Sequence, residues 1–258
     1  MKTTKLKAPF GWVGGKSKLA KDIVSLIPND HKLYVEVFGG ALNVLWAKEP
    51  SKIEVVNDIN SDLINLHRVI RTNPQTLSLY LNKLLISREL FEDIKFKRYK
   101  PKNHIEKAAL YYYQLAMSFG SKGDNFAMTK SRKAKNIHKS FATWSKRLKF
   151  VTIENLSFEK IITQYDSKDT FFYLDPPYYT TEHYYKNTGG FGKEEHIELA
   201  KLLKQIKGRF LLSYNDCSFI RSLYKEFNIQ NTKEVNYSLG SNMHKKSKIV
   251  KEIFIKNY

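Results

Sequence analysis

The stretch that decides the fold is Phe171-Phe172-Tyr173-Leu174-Asp175-Pro176-Pro177-Tyr178. Four consecutive apolar or aromatic residues are typical of a buried strand, and the two prolines that follow Asp175 cannot continue a sheet ladder. Asp175 is therefore expected at the carboxyl end of a strand. In an open α/β sheet, ligands bind in the crevice outside those carboxyl ends. The sequence thus predicts a binding site around Asp175 and Tyr178.

The two prolines make this predicted loop stiff and leave its carbonyl oxygens available. Each proline restricts its own φ and lacks a backbone N–H, and Pro177 also favours an extended Pro176. An amino group on a planar heterocycle could donate hydrogen bonds to the Asp175 carboxylate and the Pro176 carbonyl, while Tyr178 covers the ring. The alternative is an ordinary turn, because Asp and Pro are common turn formers. The catalytic candidates are Asp175, Pro176, Pro177 and Tyr178.

Composition and charge limit the class of protein. The chain has 258 residues with 42% hydrophobic content, which suits one large globular domain or a core with an inserted smaller domain. Its formal net charge of +19 favours a polyanionic partner, with nucleic acid first, although a solvated basic surface is the alternative. The single cysteine, Cys217, excludes an intramolecular disulfide. With no signal peptide and no membrane-spanning run, we expect a cytoplasmic protein.

Two glycine-containing turns come first in the chain. Gly14-Gly15-Lys16 precedes apolar residues at helical spacing, which predicts a loop that feeds a helix and suits a carboxylate or phosphate. The spacing of a Walker A loop is absent, and a plain helix-capping turn is the alternative. Farther on, Val35-Glu36-Val37-Phe38-Gly39-Gly40-Ala41 predicts a strand, a tight turn and a helix. Leu42 stands where a F-x-G-x-G turn would place its last glycine, so it could crowd the helix against the sheet.

A second strand is predicted over residues 53–56, and Asn57-Asp58 follow it. An acidic residue at the end of the second strand, about twenty residues after the glycine turn, is placed to bind a ribose diol. Asp58 is therefore a candidate ribose ligand. A G-x-G-x-x-G run is missing, which disfavours a nicotinamide dinucleotide.

From residue 61 the pattern changes, because several helical segments follow one another without strands. This predicts an inserted helical subdomain over residues 61–150, with residues 1–60 and 151–258 forming the other domain. Between Asp124 and Glu154 there is no acidic residue, and basic side chains alternate with Ser, Thr and Asn. Such a stretch favours contact with phosphates, although a solvated charged face is the alternative. The candidates for DNA binding, including two lysines of a later basic loop, are Lys122, Asn125, Lys130, Arg132, Lys133, Lys135, Lys245 and Lys246.

The rest of the chain returns to alternating strands and helices. Strands are predicted over residues 151–153 and 209–214, and helices over residues 193–207 and 218–227. Residues 230–237 and 249–255 are predicted to close the sheet as an antiparallel pair. The predicted class is α/β.

Five short motifs, in this order, make the chain resemble DNA adenine methyltransferases of the Dam type. They are Trp12 with Gly14-Gly15-Lys16, Val35-Glu36-Val37-Phe38-Gly39-Gly40-Ala41, Asn57-Asp58-Ile59-Asn60-Ser61-Asp62-Leu63-Ile64, Asp175-Pro176-Pro177-Tyr178 and Leu212-Ser213-Tyr214-Asn215-Asp216. The resemblance implies a Rossmann-like sheet, S-adenosylmethionine as methyl donor and adenine N6 as acceptor. It also implies that residues 61–150 are the target-recognition domain.

The resemblance further implies roles for particular residues. Cofactor contacts would fall on Trp12, Lys16, Phe38, Gly40, Asp58, Phe158 and Asp175. The target adenine would be flipped out of double-stranded DNA, stacked on Tyr178 and methylated by direct transfer, with no metal. A restriction endonuclease acting on the same site is an optional second partner.

Three other functions remain open at this point. The same site could methylate another amine, such as cytosine N4, an RNA base or a protein glutamine. The chain could also be a DNA-binding homologue without catalysis, with Leu42 as its first lesion. A nicotinamide-dependent oxidoreductase is disfavoured by the missing glycine fingerprint and by the positive charge.

Overall fold

The computed structural model describes residues 6–127, 137–179, 190–232, 235–236 and 249–258. The chain divides into two compact units. We call Met1–Ala20, Gly40–Glu49 and Asn60–Asn155 the helical unit, and Lys21–Gly39, Pro50–Ile59 and Leu156–Tyr258 the sheet unit.

The described residues form nine strands. These are β1 (Leu33–Glu36), β2 (Ile53–Asn57), β3 (Val151–Glu154), β4 (Thr170–Leu174), β5 (Arg209–Asn215), β6 (Asn228–Asn231), β7 (Val235–Asn236), β8 (Ile249–Val250) and β9 (Glu252–Lys256). Seven of them form one sheet in the order β3-β2-β1-β4-β5-β9-β6, and β7 pairs with β8 separately. β1 is parallel to β2 and β4, and β4 is parallel to β5, whereas β9 is antiparallel to β5 and β6. The predicted α/β class is confirmed.

The strand order places the ligand crevice. The chain moves from β1 outward to β2 on one side, and from β4 outward to β5 on the other. The order therefore reverses between β1 and β4, and the crevice of such a sheet lies beyond the carboxyl ends at this switch point. Phe38 follows β1 and Asp175 follows β4, so both lie at the predicted edge.

The closing strands differ in detail from the two uninterrupted strands predicted over residues 230–237 and 249–255. The second of them is interrupted at Lys251, whose carbonyl accepts a hydrogen bond from the Asp216 amide at 2.9 Å. β9 continues from there in the large sheet, while β8 pairs with β7. The antiparallel closing pair is confirmed, but each member is divided into two strands.

The described residues also contain ten α-helices. They are α1 (Ala20–Ser25), α2 (Asn43–Ala47), α3 (Ser61–Thr72), α4 (Pro74–Lys83), α5 (Arg88–Lys95), α6 (His104–Met117), α7 (Ala142–Leu148), α8 (Phe158–Tyr165), α9 (Lys193–Leu203) and α10 (Ser218–Leu223). In the part of the chain that is described, no helix is both long and apolar enough to cross a membrane.

Each unit has its own apolar interior. In the sheet unit, β4 is buried at every position, and its Phe172 and Leu174 belong to one core with Ile161 of α8 and Leu199 of α9. In the helical unit, α3, α4 and α5 all pack against α6. Asn60 caps α3 by accepting hydrogen bonds from two backbone amides, which gives this helix a defined start. The helical character of residues 61–150 is confirmed where they are described, and the domain boundaries stay a prediction.

Candidate active site

The Asp175 loop begins where β4 ends, as the two prolines predict. Asp175 is half-buried and Pro176 is buried, while Pro177 and Tyr178 are half-buried. The side chain of Ser213, on the neighbouring strand β5, lies within hydrogen-bonding distance of Asp175, with 2.9 Å between Oγ and Oδ1. One carboxylate oxygen is therefore held by a strand of the sheet, so the orientation of the carboxylate is fixed at the crevice.

Ser213 has only one hydroxyl hydrogen, and the distances indicate where it points. Its Oγ lies 2.9 Å from Asp175 Oδ1, 3.3 Å from the Leu174 carbonyl and 3.2 Å from Tyr173 Oη. A hydrogen bond to a charged oxygen is stronger than one to a neutral carbonyl, so Ser213 donates to Asp175. Tyr173 then donates to Ser213. Burial, together with the Asp175 carboxylate, raises the pKa of Tyr173 well above its ordinary value, so the phenol keeps its proton.

Two more residues of β5 hold the loop. Asn215 donates from Nδ2 to the carbonyl of Tyr179 at 3.2 Å. The ring of Tyr214 lies 6.1 Å from the ring of Tyr178, centroid to centroid, at an interplanar angle of 39°. Three consecutive residues of β5 thus contact the loop by different means, and the loop is constrained by side chains as well as by its prolines.

An aromatic cluster lies beyond the end of β1. The ring of Phe38 is 6.0 Å from Phe158 in a stacked arrangement and 5.7 Å from Phe191 edge-on. Phe158 and Phe191 are 5.6 Å apart. Phe38 is half-buried and the other two are buried, so a partly accessible aromatic surface follows β1. Phe38 and Phe158, both predicted to contact the cofactor, therefore lie together in the structure. Phe191, which was not predicted, contacts both of them.

Asp58 follows β2 and is half-buried, and its role as a ribose ligand stays a prediction. The residue before it, Asn57, is buried and connects the ends of three segments. Its Nδ2 donates to Val37 O at 2.9 Å and to Leu156 O at 3.0 Å, and its Oδ1 accepts from Leu156 N at 2.8 Å. Its backbone carbonyl accepts from Gly39 N at 2.7 Å. Asn57 therefore fixes the strand ends beside which Asp58 is placed.

In the helical unit, the structure brings Trp12 together with Gly40. A Cβ at Gly40 would lie 2.8 Å from Cδ1 and Nε1 of the Trp12 indole, and Gly40 has a φ of +51°. Only glycine fits both the backbone angle and the contact. Lys16 is only 3% exposed and donates from Nζ to the Gly14 carbonyl at 3.0 Å. The long lysine side chain is thus folded back on its own glycine loop.

Leu42 stands at the last position of the glycine turn and adopts the left-handed conformation that a glycine would supply. Its φ is 57° and its ψ is 39°, and it directly precedes α2. A left-handed L-residue costs about 1–2 kcal/mol. Leu42 is also fully buried. The turn therefore keeps its shape with a leucine in place of glycine, and the strain is offset by packing.

Two of the DNA-binding candidates lie in a described loop of the helical unit. Phe119 N donates to Asn125 O at 2.9 Å, and Ser118 forms a β-bridge with Phe126, so residues 118–126 form a short hairpin with Lys122 near its tip and Asn125 beside the bridge. Asn125 is exposed and Lys122 is half-buried. The other candidates lie outside the described residues: Lys130, Arg132, Lys133, Lys135, Lys245 and Lys246.

Three residues that belong to the site by position were not among the predicted ones. Ser213 holds Asp175, Asn57 ties the strand ends together and Phe191 completes the aromatic cluster. A polar residue inside an apolar strand was the available signal for Ser213, and a polar residue directly after a buried strand was the signal for Asn57. Phe191 is separated from Phe38 by most of the chain, so only the fold reveals their contact.

Comparison with known proteins identifies relatives along nearly the whole chain. The family model for the D12 class N6 adenine-specific DNA methyltransferase matches residues 12–237. Type II methyltransferase M1.LlaDCHI of Lactococcus lactis subsp. cremoris is 30% identical, over 96% of this chain and 94% of that protein. Type II methyltransferase M.CviBI of Paramecium bursaria Chlorella virus NC1A is 27% identical, over 98% and 100%. A DNA adenine methylase of Vibrio cholerae is 24% identical, over 95% and 94%.

Proposed function

The chain belongs to the D12 class N6 adenine-specific DNA methyltransferases, and from this premise we propose how it acts. It transfers a methyl group from S-adenosylmethionine to N6 of an adenine that is flipped out of double-stranded DNA at a specific sequence. The observation that carries the proposal is the Asp175 carboxylate, held by Ser213 at the end of β4 with Pro176 and Tyr178 beside it.

Residues of the sheet unit fit S-adenosylmethionine by their chemistry. The carboxylate of Asp58, at the end of the second strand, suits the ribose diol. The partly accessible ring of Phe38, backed by the buried rings of Phe158 and Phe191, suits the flat, apolar face of the cofactor's adenine. Asp175 is close to the same switch point of the sheet and serves both cofactor and substrate in this proposal.

Residues of the helical unit fit the cofactor's amino acid part. We assign its carboxylate to the glycine loop, where Lys16 supplies a positive charge, and we assign Trp12 and Gly40 to the same cofactor. When bound, S-adenosylmethionine supplies the methyl group: the N6–methyl bond forms as the methyl–sulfur bond breaks, the sulfonium becomes a thioether, and N6 loses one proton.

The protein's own groups orient and polarise the acceptor nitrogen. The Asp175 carboxylate and the Pro176 carbonyl accept hydrogen bonds from the two amino hydrogens of adenine, which aims the nitrogen and raises its electron density. Pro176 is suited to this because its carbonyl belongs to a loop that two prolines hold extended. The ring of Tyr178 stacks on the flipped base. Positioning and electrostatics then supply most of the rate.

The proton that N6 loses leaves toward Asp175. A strong base is not required, because the amino proton becomes acidic only as the new bond to carbon forms. Ser213 contributes by donating to Oδ1, which keeps the carboxylate in one rotamer throughout. It acts as a positioning residue, since it contacts neither substrate nor cofactor in this proposal.

We assign DNA binding to the helical unit. Lys122 and Asn125 lie in its hairpin of residues 118–126, and we propose that this charged and this polar side chain contact phosphates and base edges. Four more positive charges of the same unit belong to the proposal: Lys130, Arg132, Lys133 and Lys135. Lys245 and Lys246, which belong to the sheet unit, are proposed as additional DNA contacts because of their charge. Relatives named Type II methyltransferases support a site-specific enzyme and, as a further partner, an endonuclease that cuts the same site.

The test is to incubate the protein with methyl-labelled S-adenosylmethionine and unmethylated duplex DNA, then digest the DNA and identify the labelled nucleoside. We expect the label in N6-methyl-2′-deoxyadenosine alone. Label in N4-methyl-2′-deoxycytidine would move the acceptor to another base. In a parallel incubation with RNA, label in the RNA together with unlabelled DNA would change the substrate class. Bound cofactor and DNA without label would identify a binding protein that has lost catalysis.

A further inference from the structure

His67 is a buried titratable residue for which the proposed chemistry has no role. It lies in the middle of α3 with 1% of its surface exposed. Its Nε2 is 2.8 Å from the carbonyl oxygen of Gly40, a residue of the glycine turn. Its ring lies 5.5 Å from the ring of Phe10, with a tilt of 39°. A helix of the helical unit is thus joined to the turn through one side chain.

The chemistry of the contact fixes the proton on the ring. A carbonyl oxygen can only accept, so Nε2 must carry the hydrogen and donate it. Burial lowers the pKa of His67 to about 4, so the ring is neutral at working pH and Nδ1 has no hydrogen. Within the described part of the chain, Nδ1 has no hydrogen-bond partner.

The Nδ1 atom of His67, buried without a hydrogen-bond partner in the described part of the chain, lowers the stability of the folded state. A histidine at this position therefore needs a compensating role. A buried polar atom without a partner costs about 1–3 kcal/mol, and an apolar ring of the same shape would avoid that cost. Packing against Phe10 alone would be served as well by phenylalanine. The feature that phenylalanine lacks is the Nε2 donor, and its acceptor is Gly40.

The turn that receives this hydrogen bond has two nearby residues with left-handed backbone angles, of which only Leu42 is strained. Gly40 has a φ of +51° and its Cα faces the Trp12 indole, and Leu42 has a φ of 57° although it is not glycine. A left-handed leucine costs about 1–2 kcal/mol that a glycine would not. A hydrogen bond to the Gly40 carbonyl, two residues before Leu42, therefore stabilises the turn against relaxing to a less strained shape.

We propose that His67 is a positioning residue that holds the Gly40 carbonyl and thereby keeps the turn with Leu42 in its cofactor-binding shape. The inference rests on the proposed binding of S-adenosylmethionine by this turn. It assigns His67 an effect on cofactor affinity and no direct part in methyl transfer. It also predicts that the requirement for His67 depends on the leucine at position 42.

The experiment compares His67→Phe with His67→Gln by titrating the purified proteins with S-adenosylmethionine in a calorimeter. Phenylalanine keeps the ring contact with Phe10 and removes the donor, whereas the amide of glutamine can still donate to Gly40. We expect His67→Phe to weaken cofactor binding about three- to tenfold and His67→Gln to bind nearly as the unmodified protein does. The Michaelis constant for the cofactor should rise equally, with kcat at saturation and DNA affinity unchanged.

The same titration is then repeated in a Leu42→Gly background. Glycine adopts the left-handed angle without strain, so the loss caused by His67→Phe should shrink to less than about twofold. An equal loss in both backgrounds would overturn the proposed coupling between the two residues. Equal binding by His67→Phe and the unmodified protein, with equal melting temperatures, would overturn the role of His67.

Failure of the proposed function and failure of a variant to fold can both be distinguished from failure of the role of His67. If the unmodified protein itself does not bind S-adenosylmethionine, the proposed function fails and not merely the role of His67. If His67→Phe does not fold, His67→Met replaces it, because methionine fills the space without a donor. Tight binding by His67→Gln and weak binding by His67→Met would support the proposal, and equal binding by both would overturn it.

Discussion

The loop after β4 and the glycine turn after β1 are both rigid, but they are rigid for different reasons. The loop, residues 175–178, has two prolines and ordinary backbone angles, and its acid is held by Ser213. The turn, residues 40–42, has positive φ at Gly40 and Leu42 and depends on its neighbours for its shape. The loop is stiff because of its two prolines, whereas the turn contains a strained residue, Leu42, and is held in shape by its neighbours.

This difference separates the expected effects of mutation. Changes in the loop leave the backbone in place and remove a group from the reacting atoms, so they should lower kcat. Changes in the turn alter the equilibrium between binding-competent and other shapes, and the apparent affinity falls with the competent fraction. Rate and affinity should therefore respond to different residues.

The strongest test of the loop is Asp175→Ala, which removes the main acceptor for the amino group. We expect kcat for methyl transfer to fall by roughly 10³-fold or more, because a preorganised group at the reacting atom is lost. Single-turnover transfer of labelled methyl groups measures this, and DNA affinity should stay unchanged in a gel-shift titration.

The matched control for that variant is Asp169→Ala, just before the same strand. Asp169 is exposed and forms an ion pair with Lys32 at 2.8 Å, so its removal should leave turnover within about twofold. Near-normal turnover by Asp175→Ala would remove Asp175 from catalysis, and equal losses in both variants would show that the strand itself had been damaged.

Ser213→Ala tests whether the carboxylate must be held. Alanine leaves Asp175 in place but removes the donor at 2.9 Å, and hydrogen bonds to charged groups contribute about 1.5–3 kcal/mol. We expect kcat to fall roughly ten- to hundredfold with little change in the Michaelis constants. Ser213→Thr, which keeps the hydroxyl, should recover part of the rate.

Ser222→Ala is the control for serine removal, because its hydroxyl donates to the Phe219 carbonyl at an exposed position of α10. It should not change turnover. A Ser213→Ala enzyme with normal kcat and a raised Michaelis constant would instead place Ser213 in binding, which would erase the distinction between the loop and the turn.

The two regions also differ in how far the sequence predicts them. The position of Asp175 follows from local rules, because an apolar run predicts the strand and two prolines end it. The hydrogen bond from Ser213 does not follow, since it depends on which strand lies beside β4 and in which register. That register, Leu174 opposite Leu212, is a property of the whole sheet.

For the turn, the sequence predicts a glycine turn but not how a leucine fits within it. From the sequence, Leu42 could crowd the helix against the sheet, and the structure places it in the left-handed conformation with its side chain buried. His67 gives no local indication of its role, because a histidine on an apolar helix face has no visible partner until α3 is folded. Local patterns therefore locate both regions, and long-range contacts determine what holds them.

Gly40→Ala tests the turn directly. The new Cβ would lie 2.8 Å from the Trp12 indole, on a residue whose φ of +51° disfavours alanine. Strain of about 1–3 kcal/mol should raise the dissociation constant for S-adenosylmethionine roughly tenfold, with kcat at saturating cofactor nearly unchanged. Calorimetry and initial rates measure the two quantities separately.

Gly192→Ala is the control for adding a methyl group. Its Cβ would meet only Glu195 Oε2 at an ordinary 3.4 Å, and its φ of −98° suits any residue. Cofactor affinity should be unchanged there. If Gly40→Ala lowered kcat and left affinity intact, the turn and the loop would act on the same step, contrary to the comparison.

The smallest expected effect concerns stability in acid. The folded pKa of His67, about 4, is below its ordinary value of 6.5 because the ring is buried. The unfolded chain therefore binds more protons between these two values, and stability falls as the pH drops from about 6.5 toward 4. His67→Phe removes this dependence. Relative to the variant, the unmodified protein should lose on the order of 2 kcal/mol of its free energy of unfolding between pH 7.5 and pH 5, measured by urea denaturation.

The control is His104→Phe, at an exposed position, whose free energy of unfolding should fall by as much as that of the unmodified protein. If all three proteins lost the same free energy of unfolding, His67 would be accessible to protons in the folded state. The Gly40 carbonyl would then not be held by a buried, neutral imidazole, and the proposed difference between the turn and the loop would fail.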